Sequence, residues 1–599
     1  VTYVLLDNSL DPKGLRLLYE EPREIIVANE PGEVDPALAQ LERGLASGRH
    51  AAGFFSYELG LLLEPRLAHR LPKERSVPLL WFVVVDKPRR LSDRQLLEWL
   101  QTRAGPHAPP RLISVGLDQT DYLRRFATVK EMIAAGDIYQ LNLTFKAYVE
   151  MAGSAEAHYL DLRKKQRVAY GAIIAAGGFT VLSVSPELFV RVAGRTIETR
   201  PMKGTAARAP TLETDDEVRR MLATDIKQRA ENLMIVDLMR NDIGRIAEIG
   251  SVEVTDLYTV ETYRTLHQLT SGVKARLRRN VGLKEWLIAL LSPGSVTGAP
   301  KVRAMELIAD LEAEARGVYC GAIGWLAPDG DCCFNVAIRT VTVWPDGRAE
   351  MGIGSGVVWD SSGPGEYAEC LLKMKFLADP PVPLELFETM LYDGARGIVL
   401  EQRHIERLKA SAAYFGIPFD AERIARAFAE MAGRFGATRQ RVRLLLREDG
   451  EVVRTATPLP PADADARMRF VVSSMRVDPA DPLFYHKTTR RALYDSEHAG
   501  ASKEHGADEV IFLNMRGELA EGSRTNIFIE RDGMLLTPKL SCGLLPGTLR
   551  AELLATGRAR EAVLTLDDLG RGQVFLGNSV RGLVVAERIR EVPRVRKAG

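Results

Sequence analysis

Apolar residues along this chain recur with two periods, and the chain switches between them repeatedly. The stretch YGAIIAAGGFTVLSVSPELFVRVAGRTIETR (170–200) runs apolar or alternating in short segments broken by Gly-Gly, Ser-Pro and Ala-Gly, which predicts successive strands. GVYCGAIGWLAPDGDCCFNVAIRTVTVW (317–344) predicts a hairpin turning at Pro328 to Asp331, with Arg339 on a strand. DIKQRAENLMIVDLMRNDIG (225–244) spaces its apolar residues by three and four, so it predicts a helix capped by Asp225 and ended at Asn241 to Gly244. A closing helix is expected over about Gly365 to Leu377. Runs of strands beside runs of helices point to an α+β class, not to regular βαβ alternation.

Two breaks divide the pattern. ADPPVP (378–383) has three prolines in four positions, which cannot continue the preceding helix and form a stiff spacer. It separates an expected first domain, 1–377, from a second, 385–599, with 378–384 as linker. ATPLPPADADA (456–466) divides the second part into expected lobes of about 385–457 and 466–599.

Composition adds mainly exclusions. A net charge of +1 over 599 residues gives no nucleic-acid or membrane surface, and the basic end PRVRKAG is too short for a binding arm. Five cysteines without a Cys-x-x-Cys pair argue against a disulfide framework or zinc site and for a reducing cytoplasm. VTYVLLDNSLDPKG lacks the pattern of a signal peptide, and no apolar run approaches the roughly 18–20 residues that span a bilayer.

Candidate chemistry begins at PMKGTAAR. Pro201 and Gly204 hold Lys203 on a stiff elbow after the strand RTIETR; it is either a solvated loop lysine or, if buried, a nucleophile. Glu366, Glu369 and Lys373 share one face of the closing helix, as a solvated ion-pair face or as part of a site. Glu231 sits beside an apolar stripe on another helix. Carboxylates from two helices suit Mg²⁺, which keeps waters and leans on substrate oxygens, so an anionic substrate is implied. Gly352, Gly354 and Gly356 in MGIGSGVV let backbone N–H groups approach an anion. SPGSVTGAPK, with Thr297, has the wrong spacing for a P-loop. Arg339 is placed either to clamp a carboxylate or to pair with an acidic side chain.

PMKGTAAR, RAENLMIVDLMRNDIGRI, SPGSVTGAPKVRAMELI, AIRTVT and GEYAECLLKMK, in this order, resemble the chorismate-using enzymes, over most of residues 1–377. The resemblance implies two antiparallel sheets with flanking helices, chorismate as substrate and Mg²⁺ on Glu231, Glu369 and Glu366. It implies Lys373, Arg339, Thr297 and the three glycines as substrate contacts, Glu187 as acid or base, and His267 near the leaving group. A lysine in this turn is similar to the aminodeoxychorismate synthases, where it attacks ring carbon C2 and expels the C4 hydroxyl before ammonia adds. No Gly-x-Cys-x-Gly turn is present, so ammonia is expected from a separate class I glutamine amidotransferase or as free ammonia.

The second part supplies Lys487 in YHKTTRR, Glu521 in a turn of GELAEGSRTNIFIE, and Gly547 and Thr548 at the start of a helix in GLLPGTLRAELL, where N–H groups favour a phosphate. Arg407 lies on the amphipathic helix HIERLKASAAYFGI. A lysine, a carboxylate and a phosphate cup are what pyridoxal phosphate needs. The set resembles the two-lobed fold-type IV pyridoxal-phosphate enzymes over about Leu386 to Arg590. That implies Lys487 as Schiff-base lysine, Glu521 as pyridine-nitrogen partner, and Arg407, Gly547, Thr548, Asn578 and Ser579 around the phosphate. Arg447 is expected at a substrate carboxylate, and a homodimer follows by analogy. Only PPVPLE stands where family members have an extra strand pair before LFETMLYDG.

Overall fold

The computed structural model describes residues 1–11, 13–264, 266–378, 384–461, 463 and 465–589. The linker at 379–383 therefore lies outside the described residues. The chain forms two compact units, one from Val1–Ala206 and Met221–Pro381, the other from Ala207–Arg220 and Val382–Gly599. The short stretch Ala207–Arg220, just beyond Lys203 in sequence, is thus part of the second unit. There the Arg208 guanidinium lies 4.1 Å over the Tyr414 ring and donates to the Tyr414 carbonyl at 2.9 Å.

The first unit holds two ten-stranded sheets with flanking helices. One runs through Gln140–Glu150, Arg348–Val357, Thr340–Val343, Thr180–Ser185 and Tyr170–Ala175 to the N-terminal strand Tyr3–Asp7. The other runs from Met202–Ala207 through Leu266–Arg276, Thr196–Arg200, Leu188–Ala193, Cys332–Val336, Ala322–Leu326 and His50–Phe55. The hairpin at 328–331 forms as the pattern predicts, with Trp325 opposite Cys333. The helix Ile226–Gly244 forms too, and Asp225 caps it by accepting from the Gln228 N–H at 2.8 Å. Phe55, Phe82 and Phe334, none of them exposed, pack with Trp286; Phe334 lies 5.4 Å from Phe55 and 5.7 Å from Trp286.

Three local expectations change. The closing helix spans Gly363–Leu372 and is followed by a separate turn, Lys375–Ala378, so Lys373 ends the helix instead of sitting inside it. Arg339 is not on a strand: it falls between Cys332–Val336 and Thr340–Val343 with φ of 51°. Lys203 is not on a loop but within the strand Met202–Ala207, where Gly204 takes φ of 95°.

The second unit has two sheets. Leu386–Asp393, Gln440–Leu446 and Val452–Pro458, with the short Gly397–Ile398, make a four-stranded sheet. The helices Glu401–Phe415 and Ala421–Phe435 contribute Leu408, Ala412, Ile424 and Phe428 to its core. An eight-stranded mixed sheet follows, in which Arg467–Val477 pairs in parallel with both Glu509–Asn514 and Gly582–Arg588. Among the described residues no helix is long and apolar enough to cross a membrane, and the five cysteines are free.

The aromatic cluster anchors the first unit. Phe334→Ala leaves a hole among the three remaining rings and is expected to lower stability by about 3–5 kcal/mol. Urea unfolding followed by tryptophan fluorescence measures this, and an unchanged midpoint would show that the cluster does not carry the unit.

Candidate active sites

Two sheets of the first unit bring their chemistry together around Lys203. A Cβ at 356 would stand 2.7 Å from Lys203 Nζ, so the glycine lets the amine sit where it does. Gly354 is hemmed by Thr144, 2.6 Å from the place of its Cβ, and Gly352 by the Tyr319 ring at 2.0 Å. The three glycines are not a loop nest: they lie in the strand Arg348–Val357, opposite Asn142, Thr144 and Lys146. Gly352 serves ring packing. Gly356 leaves room beside the amine.

Burial and the Lys373 ammonium push the Lys203 amine below its ordinary range, against the pull of Glu231, Glu187 and Glu369. Asn232 holds the strand in place, donating to the Lys203 carbonyl at 3.2 Å and accepting from Ser271 Oγ at 2.6 Å. Glu187 is buried, and burial raises its carboxyl to about 7 although Ser295, Lys203 and the Met202 N–H favour the charged form. It is therefore a group that can give up a proton near neutrality.

Glu231 is raised by burial, with Glu366 and Asp360 adding like charge against Lys203 and Lys227. Glu369 pairs with Lys373 at 2.7 Å, and Lys373 also donates to the Gly354 carbonyl at 2.9 Å. Among the described residues no three His, Cys, Asp or Glu side chains form a ready metal cage. The donors available beside Lys203 are hard carboxylates, which fit a Mg²⁺ that takes its remaining oxygens from water and substrate.

Arg339 has no carboxylate partner among the described residues. Burial lowers its guanidinium below the usual range, with only Tyr263 acting to raise it. A desolvated cation without a counter-ion suits an incoming anion. His267 is buried on Leu266–Arg276, with Nδ1 3.0 Å from Thr262 Oγ1 on the neighbouring strand. Thr297 is buried and its hydroxyl donates to the Pro293 carbonyl at 3.0 Å, a role in shaping the SPGSVTG turn.

Gln140 was missed by pattern reading. It is wholly buried at the head of the strand Gln140–Glu150, and neither its Oε1 nor its Nε2 has a hydrogen-bond partner. Its Nε2 lies 3.5 Å from the place of a Gly356 Cβ, the same point that Lys203 Nζ approaches to 2.7 Å. A buried amide with both ends unmet costs roughly 1–3 kcal/mol per group unless a ligand completes it. In the sequence it is a polar residue in an apolar strand, which carries no signal by itself.

In the second unit one cavity of about 1110 Å³ gathers Arg407, Lys487, Glu521, Gly547, Thr548, Asn578 and Ser579. Burial and the cations Arg407 and Arg491 bring the Lys487 amine down to about 7, against Glu388 and Glu521. Glu521 lies in the strand Leu519–Gly522, not in a turn; burial raises it to about 8 although Tyr494 donates to it at 2.9 Å. Gly547 caps the helix Thr548–Ala555, and a Cβ there would stand 1.8 Å from Asn526 Oδ1. Asn578 lines the cavity, yet its amide is committed to the turn: Oδ1 accepts from the Val580 and Arg581 N–H groups and Nδ2 donates to the Arg524 carbonyl. Arg447 does not line the cavity; it pairs with Glu451 at 2.5 Å and with Glu385 at 3.7 Å. Arg441 and Arg443, spaced by two on Gln440–Leu446, line it instead, and Arg443 stacks 4.4 Å over Phe387. The lysine, the carboxylate, the hydroxyls and the helix N-terminus in one cavity fit pyridoxal phosphate.

Known proteins resemble both units. Residues 20–379 match the model of the chorismate binding enzymes, and residues 385–589 match amino-transferase class IV. Aminodeoxychorismate synthase component 1 of Klebsiella aerogenes is 37% identical over 341 residues, 54% of this chain and 75% of that protein. Anthranilate synthase component 1 of Streptomyces coelicolor is 39% identical over 263 residues, 44% of this chain and 51% of that protein. The crystal structure of anthranilate synthase component I from Streptococcus pneumoniae aligns with a TM-score of 0.52 at 28% identity, covering 63% of this chain and 92% of that one. With its first model spanning more than half the chain, and a class IV amino-transferase region after it, this protein belongs to the chorismate binding enzyme family.

Proposed function

We propose that the chain makes 4-aminobenzoate in two steps, amination of chorismate to 4-amino-4-deoxychorismate at the first site and loss of pyruvate at the second. The observation that carries this reading is a lysine with a depressed pKa at each site, Lys203 and Lys487. The name of the Klebsiella relative supports the first step.

At the first site, Arg339 is the partner for a chorismate carboxylate, and Glu231, Glu366 and Glu369 would hold a Mg²⁺ that neutralises the other. Neutral Lys203 attacks ring carbon C2: the Nζ–C2 bond forms, the ring electrons shift, and the C4–O bond breaks. Glu187 delivers the proton with which the oxygen leaves as water. Ammonia then forms a bond to C4, and the Nζ–C2 bond breaks. Gln140 Oε1 accepts from the incoming ammonia. A separate glutamine amidotransferase supplies that ammonia in this reading, as the words "component 1" in the relative's name suggest.

At the second site, Arg407, Thr548, Ser579 and the Gly547–Thr548 backbone would hold the phosphate of pyridoxal phosphate, Lys487 its aldehyde carbon, and Glu521 its ring nitrogen. When bound, that group supplies the electron sink for loss of the ring C4 proton and of pyruvate. Lys487, near neutral pH, is placed to hold and return a proton. Arg441 and Arg443 face the carboxylates of the dianionic substrate.

The division into a synthase region up to residue 377 and a lyase region from 385 is part of this proposal. Its test is a product assay on the whole chain with chorismate, Mg²⁺, pyridoxal phosphate and ammonia. The wild type should release 4-aminobenzoate and pyruvate. Lys487→Ala should instead accumulate the amino intermediate and lose the visible absorbance of lysine-bound cofactor. Anthranilate or isochorismate as product would overturn the reading of Lys203.

Glu187→Gln should lower kcat/KM for chorismate by about 10²–10⁴-fold. Because Glu187 must be protonated to act and is poised at about 7, the wild-type rate should fall on the alkaline side of that value. The variant should lose this limb, and a limb that persists in it would assign the titration elsewhere.

Gln140→Leu removes the two unmet polar atoms at nearly constant size. Thermal stability should hold or rise, while kcat/KM for ammonia drops about 10- to 100-fold, the equivalent of roughly 1–3 kcal/mol. A stability loss with normal ammonia kinetics would make Gln140 a packing residue only.

A further inference from the structure

Behind the cavity of the second unit lies a buried imidazole that the functional reading does not use. His404, on the helix Glu401–Phe415, is 1% exposed and does not line the cavity. Its Nδ1 is 2.7 Å from Glu388 Oε2 on the strand Leu386–Asp393. Its Nε2 is 3.0 Å from Ser579 Oγ and 3.3 Å from Thr548 Oγ1, two hydroxyls that do line the cavity. Glu388 also accepts from Arg407 Nε at 2.9 Å, and Arg407 donates on to the Pro546 carbonyl at 3.2 Å. Three side chains read as phosphate holders, Arg407, Thr548 and Ser579, therefore meet at one buried His-Glu pair.

The protonation pattern of this group follows from its neighbours. Burial would raise Glu388, but Arg407 and His404 outweigh it and hold the carboxyl down at about 2. As a carboxylate it only accepts, so His404 carries its proton on Nδ1. Burial lowers the imidazole, with Arg407 and Lys487 adding to the effect and Glu388 opposing it. The ring is then neutral with a bare Nε2, and Nε2 has one lone pair for two hydroxyls. A hydroxyl that donates to Nε2 cannot donate to anything else.

A phosphate dianion needs donors. If both hydroxyls turn to it, Nε2 loses its partners and is left buried and unmet. We propose that His404 takes up a proton from solvent as a phosphate dianion enters the cup, so that Nε2–H donates to the hydroxyls and both hydroxyls donate to the phosphate. The dianion itself stabilises the imidazolium it creates. His404 is thus a positioning residue: it touches the hydroxyls and not the ligand. This inference rests on the reading of the cavity as a pyridoxal-phosphate site.

The linkage has a definite sign. Free His404 lies below its ordinary value and the bound one is raised, so the bound state holds more protons. Affinity for the phosphate ligand must fall as pH rises between the two values, by up to about tenfold per pH unit. Lys487, Glu521, Arg407, Arg491 and Glu388 also face this region, and the first two titrate near neutrality. The experiment must separate them from His404.

Isothermal titration of the full chain, freed of cofactor, with pyridoxine 5′-phosphate does so, because this ligand has no aldehyde for Lys487. Titrations at pH 7–8.5 in two buffers of different ionisation enthalpy give the protons taken up. The wild type should take up more protons than His404→Gln, by up to one per site, and this excess should vanish with pyridoxine, which lacks the phosphate. Equal uptake by wild type and His404→Gln overturns the proposal. Should that variant not fold, the ring-proton NMR titration of His404 in the wild type, with and without ligand, decides it: no upward shift overturns it. Failure of pyridoxine 5′-phosphate to bind at any pH would overturn the cofactor site itself, a different result from binding without proton uptake.

Discussion

Desolvation of an amine is the constraint on which both sites depend. A lysine in bulk water is an ammonium ion with no lone pair to offer. Lys203 is brought below its ordinary range by burial first and by Lys373 second. Lys487 is brought to about 7 by burial first and by Arg407 second. In each case the surrounding fold keeps water away from the amine. At Lys203 the space beside the amine exists because residue 356 has no Cβ. At Lys487 the opening is the cavity itself, with the Phe387 ring 4.9 Å from the ammonium nitrogen.

Much of this was legible in the residues because its signals are local. The cap at Asp225, the hairpin at 328–331 and the helix start at 547–548 are each set by a few neighbouring residues, and each forms where the pattern puts it. The errors were also local in origin. Pro201 and Gly204 suggest a loop, but pairing with Leu266–Arg276 draws Lys203 into a strand, and glycine's tolerance of positive φ keeps it there. Glu366, Glu369 and Lys373 were spaced correctly on one helix face, yet the helix stops at Leu372.

What was not legible depends on sheet pairing across long separations. Gln140 and Lys203 come from different sheets, and nothing near either residue announces the other. His404 and Ser579 are 175 positions apart. Arg339 was weighed as a clamp or an ion-pair partner; choosing required knowing that no carboxylate reaches it among the described residues, which only the packed structure can say. Arg447 fails for the converse reason. Its sequence neighbour Glu451 satisfies it, a pairing the turn between Gln440–Leu446 and Val452–Pro458 makes nearly unavoidable.

Two glutamates carry the contrast to its end. Glu187 and Glu388 are 4% and 2% exposed, so burial acts on both in the same direction. Glu187 has the Ser295 hydroxyl, the charge of Lys203 and the Met202 N–H to favour its charged form, and it stays near 7. Glu388 has a guanidinium and an imidazole N–H in direct contact, and it falls to about 2. The same side chain is thereby a proton donor in one unit and a permanent anion in the other. The choice is made by whether a hydrogen-bonding cation is in reach, because a direct charge-assisted contact outweighs the desolvation that a scatter of weaker neighbours cannot. Glu521 follows Glu187, not Glu388: burial lifts it to about 8 because the groups favouring its charge are a tyrosine hydroxyl, a backbone N–H and charges that do not contact it.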